Sequence, residues 1–135
     1  MHRGAGVFGS IHFGFDAQRL FLRLDPARHV VALCDHVDGL EILLLAGDST
    51  FPIRGTIERG DIRLHLHGRG MGRGKMRAIV EVAVPFAALG LQAGRRVGIA
   101  VRGMRGDVEV DRIPARGWLF FEVPDESFES VLWKV

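Results

Sequence analysis

Tyrosine is absent from the 135 residues, cysteine occurs once and proline five times. A single thiol cannot form a disulfide within the chain, so the fold must rest on its core. At this length a domain buries roughly two-thirds of the surface exposed by its unfolded chain, enough for a core without covalent staples. Cys34 follows the apolar run Val30-Val31-Ala32-Leu33. It is therefore expected to be a small buried hydrophobe and not a nucleophile. No apolar run approaches the ~20 residues of a membrane span, and no charged-then-apolar leader opens the sequence. Together with the lone thiol, these absences point to a soluble, cytoplasmic chain with no membrane partner.

A sustained helical period is also missing, as is any internal repeat, which removes bundles, solenoids and propellers. What remains is short apolar alternation, broken by Gly, Asp or Pro about every ten residues. Ile11, Phe13 and Phe15 alternate with polar or small residues, residues 16–19 form a turn, and Leu20, Leu22 and Leu24 return. Further strands are expected at 29–35, 40–46, 51–57, 61–67, 77–84, 97–102, 108–113, 118–123 and 131–135. Pro85 should end one of them, and Phe86-Ala87-Ala88-Leu89 should make a helical turn closed by Gly90. This pattern predicts one all-β domain over 1–135, a two-sheet antiparallel β-sandwich of jelly-roll or immunoglobulin-like type with about ten short strands.

Charge carries little functional signal. Eighteen Lys and Arg stand against 16 Asp and Glu, and Arg69, Arg73, Lys75 and Arg77 account for a local excess. Glycines separate these cations where a single-strand binder would place aromatic rings, so nucleic acid is not an expected partner and 68–74 reads as a mobile, solvated loop. Gly4-Ala5-Gly6-Val7-Phe8-Gly9 has the spacing of a dinucleotide-binding turn. No strand precedes it and no helix follows, so that reading fails. His65 and His67 share one face of an expected strand, but two imidazoles are not a metal site. None of the serines sits on a nucleophile elbow. No catalytic residue, metal or cofactor is expected.

Three segments carry a family resemblance. Glu81-Val82-Ala83-Val84-Pro85-Phe86-Ala87-Ala88-Leu89-Gly90 resembles the strand-then-turn signature of family 9 carbohydrate-binding modules and related sandwiches. Met1-His2-Arg3-Gly4, Phe13-Gly14-Phe15-Asp16 and Leu20-Phe21-Leu22-Arg23-Leu24-Asp25 are similar to the start of the C-terminal β-domain of glycoside hydrolase family 57 proteins. Val110-Asp111-Arg112-Ile113-Pro114, Gly117 and the stretch from Val123 to Trp133 resemble the close of that domain.

The resemblance implies a fragment of a longer chain. It would be a non-catalytic accessory domain packing against a catalytic domain that acts on α-glucans or related sugars, and itself able to meet a glycan. A stand-alone carbohydrate-binding module is the alternative, and an independent enzyme ranks last. The heme-binding relatives use Met or His ligands, for which Met71, Met76 and Met104 beside His65 would be candidates.

The expected contact surface follows from strand alternation. Leu119, Phe121 and Val123 should face the core, leaving Trp118, Phe120 and Glu122 on the opposite face, with Arg102 or Arg112 as partners for sugar hydroxyls. By the same alternation Trp133 should pack inward with Val131 and Val135.

Overall fold

Alternation along the first two strands does what it predicts. β1 (Phe8–Phe15) and β2 (Arg19–Pro26) pair antiparallel with Phe13 opposite Leu22. Leu20, Leu22 and Leu24 are buried, while Arg23 and Asp25 face outward. Asp16 closes the hairpin by accepting the Gln18 and Arg19 N–H groups at 2.8 and 2.7 Å. The computed structural model describes residues 6–125 and the backbone of 131–134.

The chain continues through β3 (Gly39–Ala46), β4 (Ser49–Glu58), β5 (Asp61–Leu66), β6 (Arg69–Met76) and β7 (Val80–Pro85). A helical turn α1 (Phe86–Leu89) follows, ended by Gly90 at φ 66°, as the Pro-to-Gly punctuation predicts. β8 (Arg96–Arg105), β9 (Val108–Ile113), β10 (Leu119–Glu122) and β11 (Val131–Lys134) complete the set.

All-β, antiparallel architecture is thus observed, and its hydrogen bonding is continuous. One sheet runs β10-β8-β3-β4-β5-β6-β7-β2-β1-β11, with β9 pairing the second half of β8. The sheet curls until its ends meet. Phe121 on β10 lies 5.9 Å from Phe13 and 5.6 Å from Phe15 on β1, ring centre to ring centre. Beside this seam, Asp111 Oδ2 on β9 accepts the Val7 and Phe8 N–H groups at 3.0 and 2.9 Å. The space enclosed holds the leucines of β2, Ile42 and Leu44 of β3, and Val97, Ile99 and Val101 of β8.

Several sequence expectations are corrected. Residues 29–35 do not form a strand: Val30, Leu33 and Val37 are buried at spacings of three and four, while Val31 is 99% exposed. That is a helical spacing, and the segment makes a 3-10 turn at Leu33–Asp35 with His36 N–H donating to the Leu33 carbonyl at 2.9 Å. A short apolar run cannot by itself distinguish the two. Cys34, carried on the outside of this turn, is exposed and not buried.

The glycine-rich 68–74 stretch is not a loop but most of β6, held in ladders to β5 and β7. Met71 and Met76 are buried on it, and a Cβ at Gly72 or Gly74 would run into the main chain of Ala83 or Glu81 on β7. Glycine inside a strand here marks close backbone approach. Because β6 ends at Met76, the next strand begins at Val80 and not at 77. His67 lies in the β5–β6 turn at φ 52°, so it shares no strand face with His65. The Trp133 side chain falls outside the described residues. Among the described residues no helix is long and apolar enough to cross a membrane.

Candidate functional site

The outer surface of the sheet carries three polar groupings, each built by cross-strand register. The first is the aromatic face of β10. Phe121 and Val123 are buried and Leu119 is partly buried, while Phe120 is 45% exposed, Glu122 is exposed and Trp118 is half-buried just before the strand. The expected alternation is seen from Phe120 to Val123, while Trp118 and Leu119 are both half-buried.

Both rings border Gly98 of β8: a Cβ there would stand 3.0 Å from Phe120 Cε1 and 3.0 Å from Trp118 Cβ. An isolated glycine within the apolar run 97–101 was the signal for this close approach, and sequence reasoning missed it. Two arginines lie against the rings. Arg96 Cζ is 4.2 Å from the centre of Phe120, and Arg112 Cζ is 5.3 Å from that of Trp118. The Arg112 guanidinium is fixed by donating to the Pro114 and Gly117 carbonyls at 2.7 and 3.0 Å. Each stack shields part of a ring from water while leaving the cation partly solvated.

Arg102 stands opposite Arg112 in the ladder, yet its guanidinium joins a different grouping. It donates to Glu41 at 2.6 Å and to Glu109 at 2.7 Å. The hydrogen bond it donates to Glu109 holds the guanidinium pKa above its ordinary value; burial opposes this, and Glu41 adds to it. Arg54 approaches the other Glu41 oxygen at 3.8 Å. Arg102 is therefore held by two carboxylates rather than against the Trp118 ring. The structure brings Trp118, Phe120, Glu122 and Arg112 to one surface and sets Arg102 apart.

The third grouping lies across β1 and β2. Ser10 Oγ is 3.3 Å from both His12 Nε2 and Asp25 Oδ2, and His12 Nε2 is 3.3 Å from the same Asp25 oxygen. Arg23 grips Asp25 at 2.8 and 3.2 Å. The residue types are those of a hydrolytic triad, but the arrangement is not. In a triad the carboxylate orients the imidazole through one nitrogen while the serine uses the other, and here both meet Nε2. Arg23, first by its hydrogen bond, holds the Asp25 carboxyl below the usual aspartate range, against a burial effect that raises it. The cluster reads as a pinned hairpin surface.

Beyond it, an open groove of about 1220 Å³ crosses β5, β6, β7 and β2, with Arg63, Arg73, Lys75 and Phe21 in its lining. Among the described residues no group of three or more His, Cys, Asp or Glu side chains is placed to hold a metal ion. Comparison with protein-family models, curated proteins and solved structures finds no match to this chain.

Proposed function

We propose that this chain is a non-catalytic accessory domain of a carbohydrate-active, glycosidase-type protein, and that its β8–β10 outer face meets a neighbouring catalytic domain of the same longer chain. The reading rests on the resemblance at both ends and at 81–90. The observation that carries it in the fold is the outward pair Trp118 and Phe120, bedded on Gly98. Large rings on a wet strand face mark a surface that something covers. On this reading the curled sheet is the two-layered sandwich of such domains, its halves facing each other across Phe121 and β1.

Stacked arginines favour a protein neighbour over a sugar. A pyranose uses the open face of a ring, and Arg96 and Arg112 already lie against Phe120 and Trp118. An α-glucan is retained as the second occupant because Phe120 is still 45% exposed beside Glu122.

Two measurements separate the readings. Oxidative footprinting should label Phe120 in the isolated domain and find it protected in the longer parent protein; equal labelling in both would defeat the neighbour reading. Titration with maltooligosaccharides should leave Trp fluorescence unchanged to millimolar concentrations, the weak end of useful affinity. A saturable change that disappears in Trp118→Ala would transfer the face to the glycan.

A further inference from the structure

The groove on the other half of the sheet has a different chemistry, set by which residues stand opposite one another. Arg63 on β5 is directly across from Arg73 on β6, and Arg73 is across from Ala83 on β7. Like charges directly opposed on one sheet face destabilise it, because their Cβ atoms are only about 5 Å apart. Among the described residues neither guanidinium has an ion pair or hydrogen bond to offset this. The neighbouring row differs: Lys75 lies between two carboxylates, Asp61 on β5 and Glu81 on β7, so that the row carries a net charge of −1. Arg63 and Arg73 are therefore the cations of the groove with no carboxylate across from them in the ladder.

Gly70 is the second observation. Gly72 and Gly74 are imposed by the main chain of β7, but nothing lies within 4 Å of where a Cβ at Gly70 would stand. Its backbone is outside the positive-φ region as well, so neither space nor conformation demands glycine there. Its effect is to keep open the part of the groove it lines.

We infer that this groove binds a small phosphomonoester, or a comparable dianion, whose body carries no aromatic base, with Arg63 and Arg73 holding the oxyanion between them. A phosphomonoester brings about two negative charges at neutral pH, matching the two free guanidiniums, which present paired donors to phosphate oxygens. A long polyanion fits less well, since its flanking charges would meet Asp61 and Glu81. A nucleobase lacks a platform, because Phe21, the one ring in the lining among the described residues, has Arg19 over it at 5.0 Å. The volume exceeds what a bare phosphate fills and is near the range of ordinary small-molecule sites, roughly 300–1,000 Å³.

The proposal is independent of the β8–β10 reading, since the two surfaces share no residue. Calorimetric titration at low salt with glucose 6-phosphate, inorganic phosphate, glucose, AMP and a single-stranded oligonucleotide tests it. Saturable binding of glucose 6-phosphate in the millimolar range or tighter is expected, with inorganic phosphate weaker, AMP no tighter than the sugar phosphate, and glucose silent. Arg63→Gln and Arg73→Gln should each weaken binding at least about tenfold, and Gly70→Val should weaken it similarly by filling the groove. All three variants should melt at or above the wild-type temperature, so that lost binding cannot be ascribed to unfolding. Unchanged affinity in the arginine variants would refute the proposal. So would tighter binding of the oligonucleotide, or no saturable heat for any anion up to about 10 mM.

Discussion

Arg102 and Arg63 occupy the same outer surface of the same sheet, in opposite circumstances. Arg102 stands between Glu41 on β3 and Glu109 on β9, close enough to both for charged hydrogen bonds. Arg63 faces Thr56 on one side and Arg73 on the other. One half of the outer surface is thus an aromatic face with its cations spent on rings, carbonyls and carboxylates. The other half is a glycine-opened groove whose two opposed arginines have no carboxylate across from them. The lesson is that a charged residue on a sheet has no fixed role: the strand across from it decides whether it stabilises the fold or remains available to a ligand.

The same contrast applies to glycine, and there the largest effect is expected. Gly74→Val should lose about 3 kcal/mol in urea denaturation, because its side chain would meet the Glu81 main chain and Val82, and the main chain in a central ladder cannot move aside. Gly98→Val meets the Trp118 and Phe120 side chains instead. The Phe120 ring can rotate away, and the Trp118 Cβ, though fixed to its main chain, lies just before an edge strand that can shift, so the cost should be about 1 kcal/mol, with a shift in Trp emission. Equal costs would show that the aromatic face is as rigid as the β6–β7 ladder.

Intermediate in size is the charge comparison. Glu41→Gln removes one carboxylate from Arg102 and should cost about 1.5 kcal/mol, the usual scale for a hydrogen bond to a charged group. Arg63→Gln should act with the opposite sign and raise the melting temperature slightly, since it relieves the opposition to Arg73. A loss of stability in Arg63→Gln would mean that the groove arginines are structural after all.

The smallest effect is expected at Asp25, on the β1–β2 part of the surface. Its folded pKa is lowered, chiefly by the Arg23 hydrogen bond. The stability this linkage supplies is full above the ordinary aspartate value and is lost as pH falls through the lower folded value. The stability difference between wild type and Asp25→Asn should therefore be flat near neutrality and shrink below about pH 4. A difference that persisted undiminished at lower pH would show that the carboxylate charge contributes nothing there.

Legibility differed from element to element for identifiable reasons. The β1–β2 hairpin and the strand-turn-Gly90 unit were readable because alternation and turn residues are local signals. The outward placement of Trp118, Phe120 and Glu122 was readable for the same reason, a period of two along one strand. Residues 29–35 were misread because an apolar run fits a strand and a helical turn equally until it is known which side chains find a core. The glycines of β6 were misread because glycine signals both flexibility and close packing, and only the position of β7 separates the two.

By itself, the sequence determined the all-β class, most strand positions and which side of β10 is wet, since each depends on residues near one another in the chain. The tertiary structure alone decided the strand order, the curl that brings Phe121 onto β1, and every pairing of charges. Arg63 and Arg73 are ten residues apart on two strands and Arg102 and Glu41 sixty-one. Whether such residues meet depends on register across the ladder. Register is set by packing of the buried face, so the outer face receives its neighbours as a consequence of how the core fits together.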